Sequence, residues 1–116
     1  MATETPSISI HLTFFIDPAK GDEFLAALRP VFEAVTAEPK NIFFEVYTSP
    51  DKPGVFKFVE NWNATVDWML TVQLAKDYYK AAFAVVDAIQ VKDREYEIWT
   101  RMSGTEWVFV GKEMLS

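Results

Sequence analysis

The sequence predicts a single α+β domain, an antiparallel sheet laid down in the order βαββαβ with both helices on one face. Three observations carry this reading. Residues 7–17 alternate apolar and polar with a period of two. Residues 19–37 switch to a helical period. Residues 38–62 then run strand, turn, strand, and close on Glu60-Asn61-Trp62.

In the first strand Ile8, Ile10, Leu12, Phe14 and Ile16 share one face, and Ser9, His11, Thr13 and Phe15 the other. Asp17-Pro18 ends it and opens a helix, with Pro18 near the first helical position. From Ala19 to Ala37 the stripe Phe24, Leu28, Phe32 and Val35 predicts one buried helix face. Pro30 lies inside that helix and removes a backbone donor, so a bend is expected. Glu38-Pro39 ends it, because a residue before proline avoids the helical region.

Asn41–Thr48 and Val55–Trp62 read as strands two and three, joined by Ser49-Pro50-Asp51-Lys52-Pro53-Gly54, a hairpin rich in turn formers. Asn63 is the expected N-cap of a helix through Thr65, Trp68, Met69 and Val72. A second helical segment follows over residues 75–88, with Tyr79, Phe83 and Val86 on its stripe. Residues 91–102 read as strand four, and Trp107-Val108-Phe109-Val110 as a short fifth strand or an arm. The whole of 1–116 is one domain, with a core over 7–102 and a C-terminal strand or arm over 104–116. This order is that of a ferredoxin-like fold. The sheet's second face is also apolar, and a second copy of the same sheet is the economical cover.

Composition narrows the partners. Half of the 116 residues are apolar and 16% aromatic, which calls for a dimer interface or an apolar cavity in so small a chain. A net charge of -6 without a Lys/Arg run argues against nucleic acid and anionic membranes. With no cysteine there is no disulfide, thiolate nucleophile or iron–sulfur ligand. No apolar run approaches the ~18–20 residues of a membrane span. Met1–Pro6 has no basic or apolar leader pattern, so the cytosol is the expected compartment.

Glu38-Pro39, Glu45-Val46-Tyr47, Pro53-Gly54 and Glu60-Asn61-Trp62, in that order and spacing, resemble the antibiotic biosynthesis monooxygenase (ABM) family of the dimeric α+β barrel superfamily. The resemblance spans residues 7–102. It implies a homodimer whose two sheets close into a barrel, with a small apolar aromatic ligand held between sheet and helices. It further implies oxidation of a polycyclic phenol or quinol by dioxygen with no metal or flavin cofactor, in secondary metabolism. Relatives often carry histidines on the helix after Glu-x-Trp. Here Gln73 and Tyr78 stand near those places, which disfavours the heme-degrading branch, since that branch needs an axial imidazole.

The candidate residues follow from type and position. Trp62 and Trp68 can stack on a flat ligand, with core packing as the competing role. Glu60 shares a strand face with Phe56, Phe58 and Trp62, where a carboxyl's pKa rises toward that of a useful base; a paired charge at the sheet or dimer interface is the alternative. Glu45 is more simply structural. His11, the only histidine, is a residue type suited to general-base work but cannot by itself build a zinc site. Tyr78, Tyr79, Gln73 and Asn61 are the polar groups expected to border the cavity, although the stripe Tyr79 shares with Phe83 and Val86 favours the core for it. Arg94 and Arg101 can hold an anionic oxygen or pair with Glu95 and Glu97. The base stays open among Glu60, His11 and Tyr78. Two rivals to the oxygenase share the scaffold: a cofactor-free cyclase or isomerase, and a non-catalytic small-molecule-binding dimer.

Overall fold

The computed structural model describes residues 6–115. The leader expectation drawn from Met1–Pro6 falls on residues 1–5 and so lies almost wholly outside them. The elements are β1 (Ile8–Ile16), a 3-10 turn (Pro18–Lys20), α1 (Gly21–Thr36), β2 (Asn41–Thr48), β3 (Val55–Trp62), a short α2 (Val66–Trp68) running into a π turn (Met69–Gln73), α3 (Tyr79–Ile89) and β4 (Gln90–Thr100). The four strands form one antiparallel sheet in the order β2-β3-β1-β4. This is the ferredoxin-like arrangement.

The alternation along β1 becomes the two sheet faces. Ile8, Ile10, Phe14 and Ile16 are buried under the helices with Phe56, Phe58 and Trp62 of β3. Asp17 accepts the Ala19 N–H at 3.0 Å and starts the 3-10 turn that leads into α1. The buried stripe of α1 is Phe24, Leu28, Val31 and Val35. Val31 takes the core position expected of Phe32. Both follow Leu28 on the helix, and Phe32 turns to the sheet edge, 4.7 Å centroid to centroid from Phe44.

The β2–β3 hairpin is tied to the end of β1 through Gly54. Its φ is +83°, its carbonyl accepts the Ile16 N–H at 2.8 Å, and a Cβ there would stand 2.0 Å from the Ile16 carbonyl oxygen. Gly54→Ala is therefore expected to cost about 3 kcal/mol or more, read as a lower urea midpoint with unchanged slope.

One expectation is corrected. Thr65, not Asn63, caps the helix after Trp62, its side chain accepting the Trp68 N–H at 3.0 Å. Trp107–Val110, expected as a strand or an arm, forms no ladder, and Trp107 and Phe109 stand 73% and 91% exposed. They lie beside Ser9, Asn61 and Arg101, on the sheet face away from the helices.

Candidate active site

The largest apolar hollow under the helices has a volume of about 590 Å³, a size that suits a small organic ligand. Its sheet side is Ile10, Leu12, Glu60 and Ile98. Its helical side is Met69, Tyr79 and Phe83. Lys76, Lys80 and Arg94 stand at its rim. Leu12 is only half-buried in the otherwise buried stripe of β1 because it faces this space.

Glu60 is the charged group in the apolar wall. The alternation of β3 carries it to the inner face between Phe58 and Trp62, opposite Ile10 of β1. One carboxylate oxygen accepts the Trp62 indole N–H at 3.0 Å. Burial pushes its pKa from 4.5 up to about 7, only partly opposed by that hydrogen bond. A carboxyl of this kind takes and gives protons near neutrality.

Beside it, on the helical side, runs a polar network. Gln73 is fully buried, and its amide nitrogen donates to both the Tyr78 and the Tyr79 phenol oxygens, the latter at 2.8 Å. Tyr78 donates to Glu38 at 2.8 Å, and Lys76 pairs with the same carboxylate oxygen. Lys76 and Tyr78 hold the Glu38 pKa below the usual carboxylate range. Burial raises the pKa of both phenols, so both stay protonated.

The geometry of α2 makes this possible. The π turn closes with the Leu74 N–H on the Met69 carbonyl, and the extra residue in that turn brings Gln73 inward.

The sequence candidates separate accordingly. Glu60 lines the cavity. Gln73 and Tyr78 lie behind its wall, while Tyr79, expected in the core, lines it. Trp62 is fully buried and packs against Trp68 at 6.1 Å between ring centroids, and neither borders the cavity. Trp68 stacks instead under the Lys40 ammonium. His11 and Asn61 are on the opposite sheet face, His11 with its Nε2 3.0 Å from the Ser9 hydroxyl. Glu45 accepts the Tyr47 phenol proton at 2.7 Å. Arg94 pairs with Asp87 at 2.9 Å rather than with a β4 acid, and Arg101 donates to Ser7.

One participant escaped sequence reasoning, and another reads there mainly as core. Glu38 reads as a helix terminator because Pro39 follows it. Tyr79 reads as core because Phe83 and Val86 continue its stripe. No group of three His, Asp or Glu side chains gathers to hold a metal among the described residues. No described helix is long and apolar enough to cross a membrane.

Comparison with known proteins agrees with the fold. A Pestalotiopsis microspora protein named "Putative monooxygenase GME11364" is 49% identical over 106 residues, covering 91% of this chain and 88% of that protein. A Caulobacter crescentus structure described as a "putative antibiotic biosynthesis monooxygenase" superposes with a TM-score of 0.75 at 25% identity, over 84% of this chain and 92% of that one. A conserved protein of Methanosarcina mazei shares the fold at a TM-score of 0.74 and 20% identity, over 84% and 95% of the two chains. Residues 7–69, from β1 to the start of the π turn, match the family model described as antibiotic biosynthesis monooxygenase. The chain belongs to the antibiotic biosynthesis monooxygenase family.

Proposed function

We propose that this protein oxygenates a small polycyclic phenol, quinol or anthrone in the cavity between sheet and helices, with Glu60 as the base and dioxygen as the oxidant. The observation that carries the reading is a carboxyl with a pKa of about 7 in the wall of an apolar cavity. Family membership and the Pestalotiopsis microspora relative named "Putative monooxygenase GME11364" support the reaction class.

An anthrone-like methylene illustrates the chemistry. Glu60 takes a proton from the carbon and leaves an enolate. The enolate gives an electron to dioxygen, and the pair recombines as a hydroperoxide on that carbon. Loss of water leaves the carbonyl. One dioxygen is consumed, one oxygen atom stays in the product and the other leaves as water. The substrate supplies the electrons, so the protein's part is to remove a proton, orient the enolate and exclude water. His11 and Tyr78 are the weaker candidates for the base, one across the sheet and the other behind the cavity wall.

The same pairing of a base with a nearby phenol suits a cyclase or isomerase that uses no oxygen. Oxygen uptake with a panel of anthrones and naphthols, beside mass spectrometry of the products, separates the two. Uptake above the uncatalysed rate supports the oxygenase. Product without uptake supports the cyclase or isomerase, and binding without conversion supports a carrier.

The sheet face opposite the helices carries Phe15, Val59 and Trp99, the last 55% exposed. The occupant we propose for it is a second copy, giving a homodimeric barrel. Light scattering after gel filtration should then give about twice the 13.3 kDa chain mass. A stable monomer at micromolar concentration would remove the barrel.

A further inference from the structure

Charge is unevenly placed around the cavity. The chain has 17 acidic and 11 basic residues, a net charge of -6. At the cavity the balance reverses: Lys76, Lys80 and Arg94 line it, against one acid, Glu60, among its described lining residues. The two signs are also kept apart. Glu60 is buried in the wall, whereas the Lys80 side chain is 78% exposed and those of Lys76 and Arg94 are partly exposed. The positive charges therefore mark the mouth.

Each of these cations already has an acid. Lys76 pairs with Glu38, Lys80 with Asp77 and Arg94 with Asp87. The pairs still leave capacity for a ligand. None of the three acids borders the cavity. An ammonium has three N–H donors and a guanidinium five, so one contact to an acid leaves donors over. Asp77 and Asp87 are exposed, and pairs open to water hold weakly. Arg94 is further held in place, its guanidinium carbon 4.6 Å from the centre of the Phe83 ring, which is itself in the cavity wall. A guanidinium fixed over an aromatic wall is ready to take a carboxylate.

We propose that the cavity takes an aromatic ligand bearing a carboxylate, with its rings inside against Leu12, Phe83 and Ile98 and its carboxylate at the mouth with Arg94, Lys80 and Lys76. This deepens the proposed function by naming a substituent of the substrate. It rests on that reading for the reaction but not for the binding. The arrangement leaves the anion in contact with water, so no charge is buried. It also keeps the anion away from Glu60, whose ionisation a neighbouring negative charge would oppose.

The test is equilibrium binding without oxygen, using 2-naphthoate and its neutral isostere 2-naphthamide as probes. At about pH 6 the naphthoate is ionised while Glu60 still holds its proton. Wild type should prefer the naphthoate by about fivefold, the worth of two or three solvent-exposed ion pairs. The preference should shrink as salt rises from about 0.02 M to about 0.5 M. Arg94→Gln combined with Lys80→Gln should bring the two affinities to parity or below, with Lys76 left in place to hold Glu38. Asp87→Asn frees Arg94 of its acid and should raise the preference about twofold, a change that a purely structural pair would not produce. Equal binding of the two probes by wild type, or a preference that ignores salt, overturns the proposal. So does a folded double variant that keeps the full preference. The salt series needs wild type alone, so it decides the matter even where a variant does not fold. If the preferences behave as stated but no substrate is oxidised, the proposed function fails and this inference stands. If oxidation occurs while wild type shows no preference for the naphthoate, this inference alone fails.

Discussion

Glu60→Gln should lower turnover by about 10²–10⁴-fold, the usual worth of a positioned base, and should make the protein more stable above neutral pH. The second effect follows from the pKa. In the folded chain Glu60 holds its proton up to about pH 7, against 4.5 for an ordinary carboxyl. Below pH 4.5 both folded and unfolded forms are protonated and the site costs nothing. As pH rises from 4.5 to about 7 the unfolded chain releases its proton first, so stability falls. Above about 7 both are ionised and the full penalty, about 3 kcal/mol, is present. That is a large share of the roughly 5–15 kcal/mol that holds a domain together. The substituted amide keeps the shape of the carboxyl and can still accept the Trp62 N–H, but it has no charge to bury. Urea unfolding at about pH 4 and about pH 8 should show variant and wild type alike at the lower pH. At the higher pH the variant should be more stable by up to that amount. Loss of activity with gain of stability is the expected mark of a group kept for chemistry.

Trp62→Ala should be the most destabilising change in the site region. The indole is fully buried at the end of β3 and against Trp68. Truncating such a side chain costs about 3–5 kcal/mol from lost burial and the cavity left behind. It also removes the N–H that Glu60 accepts. The loss should be read in the unfolding midpoint. Trp62→Phe separates the two contributions. It keeps most of the packing and deletes the donor, so the Glu60 pKa should move further up, since that hydrogen bond now lowers it. A pH–rate profile displaced to higher pH would record this. Were Trp62 instead a ligand platform, both variants would raise KM and leave the midpoint near wild type.

Much of the fold is legible because sheet faces are written with a period of two. The bounds of β2 and β3 match those read from the residues, since Pro50, Pro53 and Gly54 leave little freedom to the turn. Glu60 is legible for the same reason: counting by two from Phe56 places it inside. The helical side of the site is less legible. Trp68, Met69 and Val72 read as one regular helix, but a π turn adds a residue and turns polar Gln73 into the interior. Residues 74–78 then form no helix, so the face that α3 presents cannot be counted from α2. This is why Tyr78 reads as the cavity residue and Tyr79 as core, when the structure has Tyr79 in the wall. The C-terminal stretch stays open between strand and arm in the sequence for a different reason. Trp107-Val108-Phe109-Val110 has the composition of a strand, but strand propensity expresses itself only against a neighbouring edge, and none pairs with it here.

The most direct test of Glu60 chemistry in this cavity is the oxygen uptake of wild type and Glu60→Gln, measured side by side from about pH 5 to about pH 9 with one anthrone. Wild-type uptake should rise as pH passes about 7, where Glu60 gives up its proton, and the variant should fall to near the uncatalysed rate throughout. A variant that consumes oxygen at the wild-type rate, with the same pH profile, would contradict Glu60 as the base and with it the chemistry proposed for this cavity.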